Sequence, residues 1–335
     1  MKRVAALWLV AACGNFQDPD IVIDLRALSI VADPPNQVVD ISTTSTEADI
    51  LAQLVPTTVC ALTSDPSFAG GETWTMTLCN LATDDRCTDL GSDVSPQIFI
   101  GSGTIADPDT ASPEPQLCAT IQPNDDLVSV LLNYVENDPL MGLGGIDYGL
   151  LLEVGDAGVD PSQDIFAAKT LQVMPRIPST VTPNHNPTIS GMTASVDGSD
   201  AVTLPLVRCA DLGPTNTAPL TVTTQDVVRF TPVEPPGIHE VYVVPTIDGG
   251  SQMFTEAISY QWNAGSGSFS TDSTGGSVDV FGNTPPLYTD WTPPDPTLIS
   301  GVTDVPLFII QRDDRLGEAW FEACLRVMPV TPATP

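Results

Sequence analysis

Apolar and polar residues alternate strictly in several short stretches of the chain. Two of these stretches, 73–78 and 258–262, also carry a tryptophan, Trp74 and Trp262 respectively. The others lie at 27–31, 50–55, 202–207 and 227–231. Alternation with a period of two is typical of strands that bury one face. The pattern therefore predicts many short strands separated by turns.

One six-residue pattern occurs twice, once near the end of each half of the chain. The sequence TLQVMP at 170–175 returns as CLRVMP at 324–329, 154 residues later, and each copy ends a pair of strand-like stretches. This repetition favours two similar domains, each within the usual size range. The predicted units are a first domain at 25–175, a proline-rich linker at 176–187, a second domain at 188–330 and a tail at 331–335.

Short strands with a central tryptophan and a final hairpin are typical of immunoglobulin-type sandwiches. We therefore expect an all-β fold with two immunoglobulin-like β-sandwich domains in tandem. Each half of the chain supplies one domain.

One segment of the first domain departs from the β pattern. Asn124, Asp125 and Asp126 can cap a helix. The apolar residues that follow recur at helical spacing: Leu127, Val128, Leu131, Leu132, Tyr134 and Val135. This predicts one short helix, which either binds a partner or closes the open end of the sandwich.

The composition agrees with a β-rich fold. The 335 residues include 32 Asp but only 10 Glu and 2 Lys, whereas long surface helices are usually rich in Glu and Lys. The 25 Gly and 32 Pro suit turns between short strands. A net charge of −31 excludes a nucleic-acid-binding surface, because phosphate contacts need clustered Lys and Arg. Since 42% of the residues are hydrophobic, the charge must lie on folded domains.

The first thirteen residues have the layout of an export signal. Lys2 and Arg3 precede an apolar run at 4–12, which is too short to span a bilayer as a helix. The run ends in Val-Ala-Ala-Cys at 10–13, which resembles the lipobox of bacterial lipoproteins. The alternative is an ordinary secretory signal with a chance cysteine.

The lipobox resemblance implies an address in the cell envelope. It implies a signal peptide at 1–12 that is removed, a palmitate-type lipid on Cys13 and a lipid-anchored tether at 13–24. Gly14, in place of an aspartate after the cysteine, favours the outer membrane.

Further segments resemble the tandem immunoglobulin-like surface lipoproteins of myxobacteria and related bacteria. Besides the lipobox, the resemblance rests on LSIVADPP at 28–35, the Trp74 strand, YQW at 260–262 and RDDRLG at 312–317. The resemblance implies an anchored extracytoplasmic protein with immunoglobulin-like domains. It implies no activity.

Six cysteines remain after Cys13 is assigned to the lipid. An even number in an exported chain predicts three disulfides, for which about fifteen connectivities exist. Four cysteines fall in the first domain and two in the second, so both domains can close internally. The favoured pairs are Cys60–Cys118, Cys79–Cys87 and Cys209–Cys324, the last tying an early strand of the second domain to its final strand. The sequence contains no CxxC pair and no His/Cys cluster, so it indicates no structural zinc site.

Residues for catalysis are scarce. Of the two histidines, His185 lies in the linker and His239 begins an expected strand. The sequence contains neither GxSxG nor GxxxxGK(S/T), so neither a serine nucleophile elbow nor a phosphate loop is indicated. The acidic pair at 313–314 lies between two arginines and is interpreted as a surface ion cluster. The sequence thus predicts a protein that is not an enzyme.

Calcium is the one metal that the sequence suggests. Four carboxylates fall in a glycine-containing segment of the first domain: Glu153, Asp156, Asp160 and Asp164. Calcium binds oxygen ligands that converge in an irregular loop, although the DxDxDG spacing is missing. The alternative is that the aspartates serve turns and a hydrated acidic surface.

The leading functional expectation is a non-enzymatic envelope lipoprotein that acts as a binding or structural module at the cell surface. Its partner would be a protein or a polysaccharide, and its only cofactor would be the calcium considered above. The alternative is a glycan-binding or adhesion module, in which Trp291, Tyr288 or Trp320 would stack on sugar rings.

Overall fold

The computed structural model describes residues 20–41, 45–66, 71–79, 97–105, 117–137, 142, 144–156, 164–212, 218–246 and 248–330, without the side chains of 79, 133–137 and 156. The fold is all-β and consists of two immunoglobulin-like sandwiches in tandem, as the sequence predicts. None of the described helices is long and apolar enough to cross a membrane.

Domain 1 contains eight described strands and two helices. The strands are β1 (Arg26–Asp33), β2 (Asn36–Val39), β3 (Thr57–Ser64), β4 (Glu72–Cys79), β5 (Ile98–Ile105), β6 (Leu117–Ile121), β7 (Ile146–Asp156) and β8 (Ile165–Pro175). One sheet has the order β1-β3-β6 and the other β2-β8-β7-β4-β5. Strand β2 runs parallel to β8, so the first strand of the domain is divided between the two sheets. This is an immunoglobulin-like arrangement.

Domain 2 repeats this arrangement with additional strands. They are β9 (Gly191–Val196), β10 (Val202–Leu204), β11 (Leu220–Thr223), β12 (Val228–Val233), β13 (Val241–Pro245), β14 (Ser251–Thr255), β15 (Ser259–Ala264), β16 (Ser268–Phe269), β17 (Ser273–Gly275), β18 (Thr289–Thr292), β19 (Thr303–Arg312) and β20 (Glu318–Met328). The sheets have the orders β10-β9-β12-β18-β16 and β11-β20-β19-β15-β17. Strands β13 and β14 form a separate two-stranded sheet between β12 and β15.

The repeated hexapeptide marks the same strand in both domains. It lies in β8 and in β20, and each of these strands pairs in parallel with the short strand β2 or β11. Leu171 and Val173 are buried in domain 1, and Leu325 and Val327 are buried in domain 2. The repeat therefore arises because the last strand of each domain buries the same two apolar positions in its core.

Each core is built around a tryptophan, as the alternating stretches predict. Trp74 packs against Gly103, where an added Cβ would lie 2.8 Å from the indole nitrogen, so only glycine fits this close approach. Trp262 is buried in domain 2 and donates from Nε1 to Thr274 Oγ1 at 2.9 Å. Burial of both rings supplies a large part of each core.

The helix predicted in domain 1 is present as α2 (Asp125–Asn137). Asn124 caps it, because its Oδ1 accepts the N–H of Leu127 at 2.9 Å. Leu127, Val130 and Leu131 are buried in the core of domain 1, so this apolar face closes the sandwich.

A second helix, α1 (Glu47–Leu51), occupies part of a stretch predicted as a strand. The prediction of a strand at 50–55 is therefore wrong. Thr46 and Asp49 form a capping box, in which the Thr46 side chain accepts the Asp49 N–H and Asp49 accepts the Thr46 N–H. This local capping outweighs the alternation of apolar and polar residues that follows.

Two disulfides lie within the described residues. Cys60 on β3 is bonded to Cys118 on β6, and Cys209 is bonded to Cys324 on β20. Cys209 lies in a 3-10 turn (Cys209–Asp211), not in the early strand that we expected. The favoured pair Cys79–Cys87 is not tested, because Cys87 and the Cys79 side chain lie outside the described part of the chain, as does Cys13.

The two domains share an apolar contact. It consists of Val22, Leu28, Leu62, Phe308, Ile310 and Trp320. Val22 belongs to the stretch expected to be a tether, yet it is buried and its N–H donates to the Ala264 carbonyl at 2.8 Å. The C-terminal end of the predicted tether is therefore bound to domain 2, because Val22 is buried there and Ile21 forms a parallel β-bridge with Ala264 at the end of β15.

The polar part of the junction centres on Glu318 at the start of β20. Lys169 Nζ on β8 lies 2.9 Å from Glu318 Oε2, and both side chains are buried. Ser29 Oγ donates to Glu318 Oε1 at 2.8 Å, and Arg312 lies 3.0 Å from the same oxygen. Lys169 and Ser29 of domain 1 therefore contact Glu318 of domain 2, whose carboxylate also pairs with Arg312 of its own domain.

The proline-rich segment 176–187 is not a free spacer. Asn184 is 1% exposed, its backbone N–H donates to Asn36 Oδ1, and its Nδ2 donates to the Arg315 carbonyl. Asn186 donates to the Ala32 carbonyl and accepts the Glu318 N–H. The linker thus fixes one domain to the other.

Candidate functional site

The inserted hairpin, β13–β14, projects apolar side chains into solvent. Val241 is 57% exposed and Met253 is 70% exposed, and Val244 and Phe254 are also exposed. All five residues of β14 are exposed. Both sandwich cores are complete without these side chains. Exposed apolar groups on a projecting element are typical of interaction surfaces.

Three charged residues hold the base of the hairpin, and we call them the hairpin base: the buried Glu256 and the half-buried Glu240 and Arg315. The Glu256 N–H donates to the Glu240 carbonyl at 2.8 Å and joins the two strands. Arg315 Nη1 lies 3.0 Å from Glu256 Oε1 and 3.5 Å from Glu240 Oε2. Because Arg315 belongs to the β19–β20 turn, the hairpin is fixed to the domain junction.

The β19–β20 turn is itself ordered by Asp313. Its Oδ1 accepts the N–H groups of Arg315 and Gly317, both at 2.8 Å, and its Oδ2 accepts from Asn184 Nδ2. Leu316 takes a positive φ of 77° within this turn. Asp313 therefore positions Arg315, which lies at the hairpin base instead of in the expected surface ion cluster.

An aromatic pair continues this contact into the hairpin. The Tyr242 and Phe254 rings stack with centroids 5.6 Å apart, and the Arg315 guanidinium lies 4.8 Å from the Tyr242 centroid. The Tyr242 hydroxyl donates to Asp314 Oδ2 at 3.3 Å. One side of the hairpin is thus bound to the turn, which leaves β14 facing solvent.

Both histidines of the chain lie beside the hairpin base. His185 Nδ1 is 2.8 Å from Glu240 Oε1. His239 Nε2 is 3.2 Å from Glu234 Oε2, and its Nδ1 is 2.9 Å from the Glu256 carbonyl. Each histidine is therefore engaged with a glutamate and serves to hold the hairpin.

Glu256 has an unusual ionisation. Burial raises the pKa of its carboxyl to about 7, and the nearby Asp313 and Glu240 carboxylates act in the same direction. The Arg315 guanidinium opposes this rise in pKa without cancelling it. The hairpin base therefore changes charge near neutral pH.

A cleft of about 260 Å³ separates the hairpin from domain 1. Tyr242, Val243 and Val244 form its wall on the hairpin side, and Asp147 and Gln172 lie on the side of domain 1. Strand β13 faces this cleft, whereas β14 lies on the outer side.

The predicted calcium ligands are only partly within the described residues. Glu153 lies on β7, Asp164 precedes β8, and Asp160 and the Asp156 side chain are outside the described part. Among the residues that are described, no group of three or more His, Cys, Asp or Glu could hold a metal ion. The calcium site stays a prediction.

Two of the three aromatic residues considered for sugar stacking are not free platforms. Trp291 is 0% exposed and belongs to the core of domain 2. Trp320 packs in the contact between the domains. Tyr288 is 39% exposed, and Arg229 Cζ lies 3.9 Å from its ring centroid. The prolines around Trp291 and the alternation around Trp320 are consistent with packing in a core or at an edge.

Sequence reasoning missed the inserted hairpin. The signal was present, because the apolar stretch 241–244 is followed by Asp248-Gly249-Gly250 and a second short β-like stretch, an arrangement that favours a hairpin. Gly249 takes a φ of +81°, which glycine adopts without strain. The contacts that fix the hairpin to residue 315 could not be read from spacing.

Comparisons with known proteins assign no family. No protein-family description and no curated protein matches the chain. Among solved structures, the chain is similar to a red sea bream transglutaminase at 10% identity and a TM-score of 0.25, with 92% of this chain and 32% of that chain covered.

Two other solved structures are similarly distant. The native conformation of E. coli alpha-2-macroglobulin matches at 9% identity and a TM-score of 0.23, over 94% of this chain and 17% of that one. The BSP domain of a biofilm associated protein matches at 7% identity and a TM-score of 0.24, over 94% and 61%. The chain thus spans less than two thirds of each, and likeness this weak assigns no activity.

Proposed function

We propose that this chain is a non-enzymatic lipoprotein of the cell envelope, anchored through Cys13, that presents the inserted hairpin to a partner protein. The single observation that carries the proposal is the exposure of apolar side chains on a hairpin whose base is clamped at the domain junction. A rigid base lowers the entropy lost when the hairpin binds. The envelope address, most simply the outer membrane, rests on the lipobox resemblance.

The binding surface is tested with a photo-cross-linking amino acid at Val241 in the full chain, expressed in its native cells. We expect one adduct of defined mass, which Met253→Asp abolishes because it places a charge on the same exposed face of the hairpin as Val241. The matched control places the cross-linker at Val202, which is 48% exposed on β10. Equal adducts at both positions, or none at Val241, would refute the proposal.

The anchor is tested separately by Cys13→Ser. We expect loss of radiolabelled palmitate and loss of partition into detergent, while the unaltered chain retains both. Continued labelling of the variant would contradict the lipid assignment.

The glycan alternative rests on Tyr288, which is 39% exposed, because Trp291 is buried and Trp320 packs between the domains. An array of plant, fungal and bacterial polysaccharides tests it directly. Binding on that array, unaffected by Met253→Asp, would favour a glycan partner over the protein partner.

A further inference from the structure

The hydrogen-bond register of the inserted hairpin leaves one edge of β14 open. Thr246 donates to the Gly250 carbonyl at 3.0 Å and Glu256 donates to the Glu240 carbonyl at 2.8 Å. In an antiparallel pair the bonded positions alternate, so the 242–254 and 244–252 pairs are also bonded. The N–H and C=O groups of Ser251, Met253 and Thr255 therefore point away from β13.

These outward groups have no strand beside them. Within the described residues β13 and β14 form a sheet of two strands only, and no other strand pairs with β14. The opposite edge is less suitable, because Pro245 lies at an outward position of β13 and has no N–H to donate. Val243 on that edge also faces the cleft. Strand β14 is thus the open edge of the hairpin.

The charge around this edge selects the chemistry of a partner. The segment 234–256 contains Glu234, Glu240, Asp248 and Glu256 but no Lys or Arg. The whole chain has a net charge of −31, so a second copy would be repelled. A segment that alternates basic with apolar residues would bring positive charge to these acidic surroundings and place its apolar side chains on the face of the hairpin that carries Val241 and Met253.

We propose that β14 binds its partner by strand addition, and that the partner contributes an extended segment in which Lys or Arg alternates with aliphatic residues. This inference rests on the proposed function. Main-chain hydrogen bonds from Ser251, Met253 and Thr255 provide affinity, and the apolar side chains of the hairpin select the partner's aliphatic face.

The probe for this proposal is the peptide Lys-Val-Lys-Val-Lys-Val-Lys with a fluorescein on its N-terminus, measured by fluorescence anisotropy against the full chain carrying Cys13→Ser. We expect saturable binding. A probe of the same sequence with alternate backbone nitrogens methylated should bind at least about tenfold more weakly, because it cannot complete the ladder. A Glu-Val probe should not bind. Equal binding of the methylated probe would overturn strand addition.

Two variants at one position separate backbone from side chain. Met253→Pro removes an outward N–H without touching the bonds to β13, since edge strands accept proline at such positions. We expect Met253→Pro to lower the affinity for the unmethylated probe at least about tenfold. The affinity of Met253→Ala should stay within about threefold of that of the unaltered chain. Equal losses in both variants would assign binding to the side chain. The methylated probe tests strand addition against a chain with an unaltered β14, so its result stands even if Met253→Pro lowers the stability of the protein.

Failure of this inference is distinguishable from failure of the proposed function. In native cells, the Val241 adduct should disappear in the Met253→Pro background. An adduct that persists there would refute strand addition and leave the hairpin as a binding surface, whereas no adduct in either background would refute the proposed function itself. If light scattering shows a dimer that dissociates in the Met253→Pro variant, the occupant of β14 is a second copy of the chain. That result would overturn the proposal of a basic partner.

Discussion

The charge of Glu256 should control the stability of the protein near neutral pH, and Glu256→Gln isolates this effect. The carboxyl is buried beside Arg315, Glu240 and Asp313, and its pKa in the folded protein is about 7. In the unfolded chain the carboxyl returns to its ordinary pKa of about 4.5. The amide variant keeps the shape of the side chain but cannot titrate.

The sign follows from which state binds the proton more tightly. Because the pKa of Glu256 is higher in the folded state, protonation stabilises the folded state as the pH falls from about 7 to about 4.5. Above pH 7 the buried charge lowers the free energy of unfolding by an amount that the pKa difference sets. At about 1.4 kcal/mol for each pH unit, this amount is roughly 3 kcal/mol.

The measurement is urea denaturation of the unaltered chain and of Glu256→Gln between pH 4.5 and 8. Their difference in unfolding free energy should change by roughly 3 kcal/mol in favour of the variant as the pH rises. The carboxylates that the two proteins share cancel in this difference. Glu47→Gln, which removes an exposed carboxylate from α1, serves as the control with the same change of charge.

A difference that stays constant with pH would refute this reasoning. It would mean that the ion pair with Arg315, at 3.0 Å, keeps Glu256 ionised throughout the range. A difference of the opposite sign would mean that the pair stabilises the folded state more than burial destabilises it.

Three further predictions concern the junction and the cores. Lys169→Met should lower the free energy of unfolding, because it leaves the buried Glu318 carboxylate without its lysine partner. The loss should be only about 2 kcal/mol, since an arginine and a serine still contact Glu318. Urea denaturation measures the loss, and adding Glu318→Gln should recover part of it. Cys60→Ser should cost about 4 kcal/mol, since its bridge to Cys118 spans 58 residues; unchanged stability without reductant would contradict this. Asp313→Ala should accelerate hydrogen exchange at the β19–β20 turn, where its carboxylate accepts two N–H groups; unaltered protection would show that the turn orders itself.

The features that sequence reasoning predicted are those with a local or periodic signal. Alternation located the strands around Trp74 and Trp262, helical spacing located α2, and the repeated hexapeptide located the last strand of each domain. Each signal arises because a residue and its near neighbours share one buried face. The division into domains also predicted the bridge between Cys209 and Cys324, the two cysteines of domain 2. Cys60–Cys118 was predicted because Cys79 and Cys87 were expected to close a local loop.

The features that it missed depend on partners far apart in the sequence. Asn184 was assigned to a linker, yet its hydrogen bonds reach residues separated from it by 148 and 129 positions. His185 and His239 were set aside as catalytic candidates, and their role in holding the hairpin requires glutamates that only the fold brings close. Trp291 is fully buried, which its proline-rich context permits but does not establish, because core and edge packing were both compatible with that context.

The distribution of the few cations links the acidity of the chain to its partner. Only 11 Lys and Arg face 42 Asp and Glu, and three of the 11 lie at the junction. Lys169 binds Glu318, Arg312 reaches both Glu318 and the Leu28 carbonyl, and Arg315 holds the hairpin base. Two acidic domains repel one another on approach, so cations placed between them favour the docked arrangement. Because these three cations contact the junction and the base of the hairpin, and the segment 234–256 itself has no Lys or Arg, we expect the proposed partner to bring its own positive charge.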